Sequence, residues 1–236
     1  MQSPIFRLAS KVVYNGLTIR LYEWYLGRGI ANGPKPSHVG LILDGNRRWA
    51  DQLGLDHVTG HRQGAKKVKQ LLEWCREIGI KSLTIYAFST ENYNRSREEI
   101  DAITDIFKEN IREALNGDAI HENQVRVKVM GRLDLVPPDV VQLVRSLEEK
   151  TMRYEKFFLN IAFAYGGRAE IVDAVKKIAS DVEGGKLRIE DIDEGKIEKG
   201  LYTAHLPKSD ADLIIRTSGE ERLSNFLLWQ SAYSEL

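Results

Sequence analysis

The chain is short of the residues that mark the simplest functional classes. Its 236 residues include one cysteine, which excludes an intramolecular disulfide framework and a cysteine-rich zinc site. Lys plus Arg number 34 and Asp plus Glu 34, so no global positive field exists to grip nucleic acid, and no nucleic-acid partner is expected. No apolar run is long enough to span a bilayer. No short apolar core with a small-residue cleavage site marks a secretory signal. The common phosphate motifs are missing too. Gly60-His61-Arg62-Gln63-Gly64-Ala65-Lys66 has the wrong spacing for G-x-x-x-x-G-K-[ST]. Gly27, Gly29 and Gly33 miss G-x-G-x-x-G by one residue and follow no strand. Among nucleophiles, Cys75 falls mid-helix beside Leu72, Trp74 and Ile78 and reads as core. His38 opens a strand and reads as structural, and His121 and His205 have no partners at ligand spacing. What remains, 42% hydrophobic and 29% charged, is the composition of a cytoplasmic globular protein.

The first thirty residues stand apart. Ile5, Phe6, Leu8, Val12, Val13, Leu17, Ile19, Leu21, Trp24, Tyr25 and Leu26 recur near helical spacing, and Arg7, Lys11, Arg20 and Arg28 outnumber Glu23. This is either a helix packed on the domain or an amphipathic helix touching a membrane surface. Gly27, Gly29, Asn32, Gly33, Pro34 and Pro36 form a breaker cluster. The chain therefore divides into 1–36, a basic helix and linker, and 37–236, the main domain.

From Ser37 strands and helices alternate. Strands are expected at His38–Leu43, Ser82–Phe88, Val125–Met130, Phe157–Phe163, Asp212–Arg216 and Asn225–Trp229. Helices are expected at Gly60–Ile78, Glu98–Leu115, Pro138–Tyr154 and Arg168–Val182. This order predicts an α/β domain with a mostly parallel six-stranded sheet flanked by helices. Ligands in such sheets sit beyond the carboxyl ends of the strands, where this chain places Asp44-Gly45-Asn46-Arg47-Arg48, Ser89 to Arg95, Tyr165 to Arg168 and Arg216 to Asn225. Arg48, Arg95, Arg216 and Arg222 would converge there, with the planar bidentate donors that suit phosphate oxygens. Gly45 admits close approach of an anion. Ser89 and Ser224 add neutral donors. An aspartate among arginines makes sense if it holds Mg²⁺ against a phosphate. The plainer alternative is that Asp44 caps a helix while the arginines pair with Glu91, Glu220 and Glu221. His61, two residues past Thr59 at a helix start, would meet a phosphate or cap the helix.

Taken in order, these segments resemble the signatures of the cis-prenyltransferases, the undecaprenyl diphosphate synthase family. The resemblance rests on His38 to Ala50, Gly60 to Ala65, Tyr86 to Arg95, Asn160 to Arg168, Asp212 to Glu220 and Arg222 to Gln230. It covers Ser37 to Leu236, and the basic N-terminal segment is similar to that of archaeal members. The resemblance implies condensation of isopentenyl diphosphate onto an allylic diphosphate, farnesyl or geranylgeranyl, to make a long Z-polyprenyl diphosphate. It implies that Asp44 and Glu235 hold Mg²⁺ and that Gly45, Asn46, Arg47 and Arg48 cradle the allylic diphosphate. Arg216, Arg222, Leu223 and Ser224 would bind isopentenyl diphosphate. Asn92 would serve proton transfer, with Ser89 beside it, and Trp49, His61, Thr90, Glu91, Tyr93 and Arg95 would contact substrate. It also implies a homodimer, cytoplasmic or at a membrane surface, and, since family members generally run on past this point, either a C-terminus missing after Leu236 or a short member. His57 stands where many relatives have Arg, and Glu221 where some have His. An apolar product needs a tunnel, for which Ile100, Ile103, Ile106, Phe107 and Ile111 are candidate walls, with Ala102 and Ala114 leaving room. The competing readings are a subunit of a heteromeric prenyltransferase and transfer to a different acceptor.

Overall fold

Buried parallel strands carry near-continuous apolar runs, because both of their faces are covered. Strand β1 (His38–Ile42) is buried at every position, and β4 (Phe157–Tyr165) at all but one. With β2 (Ser82–Ser89), β3 (Val125–Met130) and β5 (Leu213–Arg216) they form a parallel sheet in the order β3-β4-β2-β1-β5. The computed structural model describes residues 16–31 and 33–236. The N-terminal positions from Ile5 to Val13 lie outside them. Helix α1 is Gly16–Ala31, α2 Asn46–Gln52, α3 His57–Ile78, α4 Arg97–Asn116, α5 Ala119–Glu122, α6 Pro138–Thr151, α7 Gly167–Glu183 and α8 Glu194–Gly200.

Local chemistry sets the ends of the long helices. Asp56 caps α3 by accepting from the Thr59 amide, and Gly79, at φ 91°, ends it. Ser96 caps α4 by accepting from the Glu99 amide, and Pro138 opens α6 at its first turn. Helices α3, α4 and α6 cover one face of the sheet. Cys75, Phe107, Ile111 and Val144 pack there with Leu41, Ile85 and Leu159. On the other face lies a second cluster containing Tyr86, Ala162, Tyr165, Phe226 and Leu227. The chain leaves β1 toward α3 and returns to β5 after α7 and α8. The crevice at the carboxyl ends of neighbouring β1 and β5 is thus where the strand order reverses, the place such sheets use for ligands.

The described residues hold five strands, not the expected six. Asn225–Trp229 reads as a strand because it is apolar, but Ser224, Asn225 and Leu227 adopt φ of 49°, 66° and 43°. Left-handed backbone cannot continue an extended ladder. Phe226 and Leu227 instead plug the second cluster, with the Phe226 ring stacked 4.7 Å from Tyr86. Beyond β5 the sheet gains only an isolated bridge from Glu235 to Leu213.

His38 is structural, as expected. Its Nδ1 lies 2.9 Å from the Ser209 carbonyl and its Nε2 2.7 Å from Thr84 Oγ1. Asn160 donates to the same hydroxyl at 3.0 Å, and its Oδ1 lies 2.9 Å from His205 Nε2. The line of contacts ties β1, β2 and β4 together.

Candidate active site

Arg216 closes β5 and Asp44 follows β1, so sheet register alone brings them together. The Arg216 guanidinium donates to Asp44 Oδ2 through Nη2 at 2.7 Å and Nε at 3.2 Å. Its Nη1 donates to Ser224 Oγ at 2.9 Å and to the Arg222 carbonyl. Only 12% of the Arg216 side chain is exposed. Burial alone would raise the Asp44 carboxyl, but bonds from Arg216, the Gly45 amide and Arg48 outweigh it and hold the pKa below the usual carboxylate range. Thr217 locks the turn, donating to the Asp44 carbonyl at 2.7 Å and accepting from its amide at 3.1 Å.

Gly45, at φ 93°, reverses the chain into α2, a conformation open to glycine at little cost. It brings Arg48 back over the pocket, where Nη2 lies 3.3 Å from Asp44 and donates to Ser218 Oγ at 2.8 Å. Glu220 lies 3.7 Å from Arg48 and 3.0 Å from Arg222, bridging the two arginines. Asn46 faces α3 at two glycines. A Cβ on Gly60 would come 2.3 Å from the Asn46 carbonyl, and one on Gly64 2.6 Å from its side-chain amide. The Gly60–Gly64 spacing is therefore what lets α2 and α3 close on Asn46.

Opposite, β2 ends in a reciprocal cap. Ser89 Oγ accepts from the Asn92 amide at 3.2 Å, and Asn92 Oδ1 accepts from the Ser89 amide at 3.1 Å. The ladder between β2 and β4 slips between Tyr86, Phe88 and Ser89, an irregularity of the kind that re-aims side chains beside a site. Thr90 donates to Glu91, which accepts from Asn225 at 2.8 Å. Glu99 gathers the rest: Arg95 at 2.8 Å, His61 at 3.2 Å and Arg47 at 3.8 Å. Burial pushes the Glu99 carboxyl up, but the His61 hydrogen bond and the charges of Arg95 and Arg47 bring it below its ordinary value. Desolvation lowers His61. His61 is not a cap; it sits inside α3, which Asp56 caps.

These groups form the head of a cavity of about 1240 Å³ that continues under α3 and α4. Phe157, Leu159, Ile161 and Phe163, alternate residues of β4, all line it. At the rise of a strand this is roughly 20 Å of apolar wall. Ile103, Ile106, Phe107, Ile111 and Ala114 line the side formed by α4, whereas Ile100 and Ala102 do not.

The cavity head includes Asp44, Gly45, Asn46, Arg47, Arg48, His61, Ser89, Glu91, Asn92, Arg95, Arg216 and Ser224. Other expected residues lie apart. Tyr93 packs edge-on to Phe88 and donates to the Leu135 carbonyl at 3.1 Å. Trp49 is 39% exposed and Leu223 packs on the second core cluster. Thr90 and Arg222 border the head without lining the cavity. Glu235 is not brought to Asp44 within the chain. It bridges Leu213, which pairs with Val39, five residues before Asp44 and so about 16 Å below it along the strand. Residues not expected from sequence are Glu99, Thr217, Ser218 and Asn225, whereas Glu220 pairs with Arg48 and Arg222 as the plainer alternative had it. For Glu99 the signal was present, because Ser96-x-x-Glu99 is the pattern of a helix start.

Asp44 suits a magnesium ion in one respect. Mg²⁺ is commonly held by one or two carboxylates together with substrate phosphates rather than by an all-protein cage. A lone aspartate at the head of an arginine-rich pocket has that donor chemistry. Among the described residues, no three or more His, Cys, Asp or Glu cluster as a self-sufficient metal site.

Comparison with known proteins gives concordant results. The prenyltransferase family model described as undecaprenyl diphosphate synthase matches residues 42–236. A Methanocaldococcus jannaschii protein named tritrans,polycis-undecaprenyl-diphosphate synthase (geranylgeranyl-diphosphate specific) is 50% identical over 94% of this chain and 79% of its own length. A protein of the same name from Pyrococcus horikoshii is 49% identical over 98% of this chain and 88% of its own. The crystal structure of lavandulyl diphosphate synthase from Lavandula x intermedia with dimethylallyl diphosphate superposes with a TM-score of 0.81, at 36% identity, over 85% of each chain.

Proposed function

The chain belongs to the undecaprenyl diphosphate synthase family of prenyltransferases, and we propose that it extends geranylgeranyl diphosphate with isopentenyl diphosphate units into a long Z-polyprenyl diphosphate. It is a polyprenyl diphosphate synthase, condensing isopentenyl diphosphate onto an allylic diphosphate. The observation that carries the finer reading is the union of an arginine-rich head with an apolar tunnel in one cavity. That combination holds a diphosphate at one end and a growing hydrocarbon below it. The primer follows the archaeal relatives, whose names specify geranylgeranyl diphosphate.

In this reading Arg48 and Ser218 bind the allylic diphosphate, while Arg216, Ser224 and Arg222 orient isopentenyl diphosphate so that its double bond faces the allylic carbon. The allylic C–O bond breaks, a carbon–carbon bond forms, and a proton leaves the new unit. Asn92, fixed by its cap with Ser89, positions that proton's departure toward a diphosphate oxygen, since an amide is a poor base. Asp44 would hold Mg²⁺, which when bound supplies neutralisation of charge on the leaving diphosphate. The apolar walls keep water from the reacting carbon.

Incubation with Mg²⁺, labelled isopentenyl diphosphate and dimethylallyl, farnesyl or geranylgeranyl primers tests this. Elongated chains from geranylgeranyl diphosphate are expected, and absence of elongation from every primer overturns the reading. It would favour the heteromeric-subunit alternative, whereas one unit added and no more would favour transfer without chain growth. Light scattering tests the homodimer.

A membrane surface fits α1 as a partner. Leu21, Tyr22, Trp24, Tyr25, Leu26 and Ile30 are exposed, and the Arg28 guanidinium stacks 4.9 Å over Trp24. Aromatic and arginine side chains of this kind favour the headgroup region of a bilayer. No described helix is long and apolar enough to cross one. Co-sedimentation with anionic vesicles is expected to fall on replacing Trp24 and Tyr25 by serine, and unchanged sedimentation counts against the contact.

A further inference from the structure

The tunnel wall changes character along its length. Below the arginine-rich head it is apolar, and in the C-terminal halves of α3 and α4 it becomes charged. Lys69, Glu73 and Arg76 of α3, with Glu113 of α4 and Asp118 beyond it, line the same cavity as Phe107 and Leu159. Buried and exposed residues sharing one wall mean that the cavity reaches the surface there, between the two helices.

Besides the His61–Glu99 contact, two ion pairs join α3 to α4 among the described residues. They differ in position. Arg62 holds Glu109 with both terminal nitrogens, at 2.5 and 3.1 Å, and neither residue lines the cavity. Lys69 Nζ lies 2.6 Å from both oxygens of Glu113, and both residues do line it. The first pair lies outside the wall; the second belongs to it. The Lys69 and Glu113 side chains are 52% and 64% exposed, so the pair sits at a boundary between apolar tunnel and water.

The geometry points to a lateral mouth, barred by the Lys69–Glu113 ion pair, that sets how far the tail of the growing chain advances and thus where elongation stops. This rests on the proposed function. Each unit added while the tail lies against apolar wall removes hydrocarbon from water, whereas a tail passing the bar must separate a pair of hydrated charges and emerge into solvent. Burial rewards growth up to the bar and opposes it beyond. An isolated surface ion pair contributes little to stability, so the effect is expected in product length rather than in folding.

The test replaces both residues, Lys69→Met with Glu113→Leu, which removes both charges and leaves apolar side chains of comparable bulk. Product lengths are compared at equal isopentenyl incorporation. The distribution is expected to lengthen by about one isoprene unit or more, since the apolar path now extends past the old boundary. Lys69→Glu alone, placing like charges at the mouth, is expected to disturb the distribution, and adding Glu113→Lys to restore it. A second measurement needs no turnover: binding of n-alkyl diphosphates of rising length by calorimetry. Wild-type affinity is expected to rise with each methylene and then level off, with the plateau arriving later in the Met/Leu protein. An unshifted plateau and an unchanged product distribution together overturn the mouth. A shifted plateau in a protein that elongates no primer upholds the mouth and overturns the proposed reaction.

Discussion

Replacing Asp44 by asparagine separates its two relations to diphosphate. In the structure its carboxylate competes with any incoming anion, because it contacts Arg216 at 2.7 Å and Arg48 at 3.3 Å. Asparagine keeps the shape and removes the charge. Two unit charges about 4 Å apart interact by about 4 kcal/mol at an effective dielectric near 20. Asp44 retains 27% side-chain exposure, so solvent reduces that to about 1–2 kcal/mol, or roughly 5–30-fold in affinity. In EDTA, inorganic diphosphate should therefore bind Asp44→Asn more tightly than wild type by that factor, as measured by titration calorimetry. With Mg²⁺ the order of function reverses: the variant should lose turnover by orders of magnitude, because the carboxylate proposed to hold the metal is gone. Thermal melting should show little change, since Arg216 keeps Ser224 and the Arg222 carbonyl. Equal or weaker metal-free binding by the variant would refute the competition.

His205 predicts acid sensitivity. Its ring nitrogens face two acceptors, the Tyr202 carbonyl at 3.1 Å and Asn160 Oδ1 at 2.9 Å, yet burial lowers its pKa from 6.5 to about 4. The unfolded chain takes up a proton below 6.5 and the folded chain only near 4, so stability falls as pH drops through that window. Solvent access limits the loss to about 2 kcal/mol. Urea melts at pH 7.5 and 4.5 should show wild type losing more than His205→Gln, and parallel losses would rule out this residue. The two α3 glycines should fail differently. Gly60→Ala pushes on the Asn46 backbone and should cost about 1–3 kcal/mol. At Gly64→Ala the nearest atoms are those of the Asn46 side chain, which can give way, so this variant should impair kcat with little change in Tm; a large Tm drop for Gly64→Ala would contradict this. Ala114→Leu narrows the tunnel and should shorten products by about one unit, a shift absent if Ala114 is ordinary core.

The alternating order of strands and helices was legible because buried parallel strands and amphipathic helices have different periods, and both are strong from Ser82 to Glu183. The misread segment shows the limit. Asn225–Trp229 has the composition of a strand, and its left-handed residues, Ser224, Asn225 and Leu227, are not glycines that would have advertised a turn. Site residues at or just after strand ends, Asp44, Ser89 and Arg216, were legible from topology. Those set by pairings distant in sequence were not. Tyr93 turns from the cavity to meet Leu135, and Glu235 settles beside Leu213, through contacts that no local pattern encodes.

Balanced charge acquires a physical meaning at the site. Each arginine expected to bind diphosphate already has an internal acid: Arg216 and Arg48 have Asp44, Arg222 has Glu220, and Arg95 and Arg47 share Glu99. Without those acids the cations would repel one another in a partly desolvated pocket, and the head would be destabilised before any substrate arrived. With them, the donors are held in place at a cost in anion affinity. Asp44 differs from Glu220 and Glu99 because it holds Arg216, the least exposed of these arginines, through two hydrogen bonds. A divalent cation would convert that carboxylate from a competitor of diphosphate into a shared ligand, and would free Arg216 to face the substrate. The internal pairing thus keeps an unliganded site assembled, and it makes tight diphosphate binding conditional on the metal.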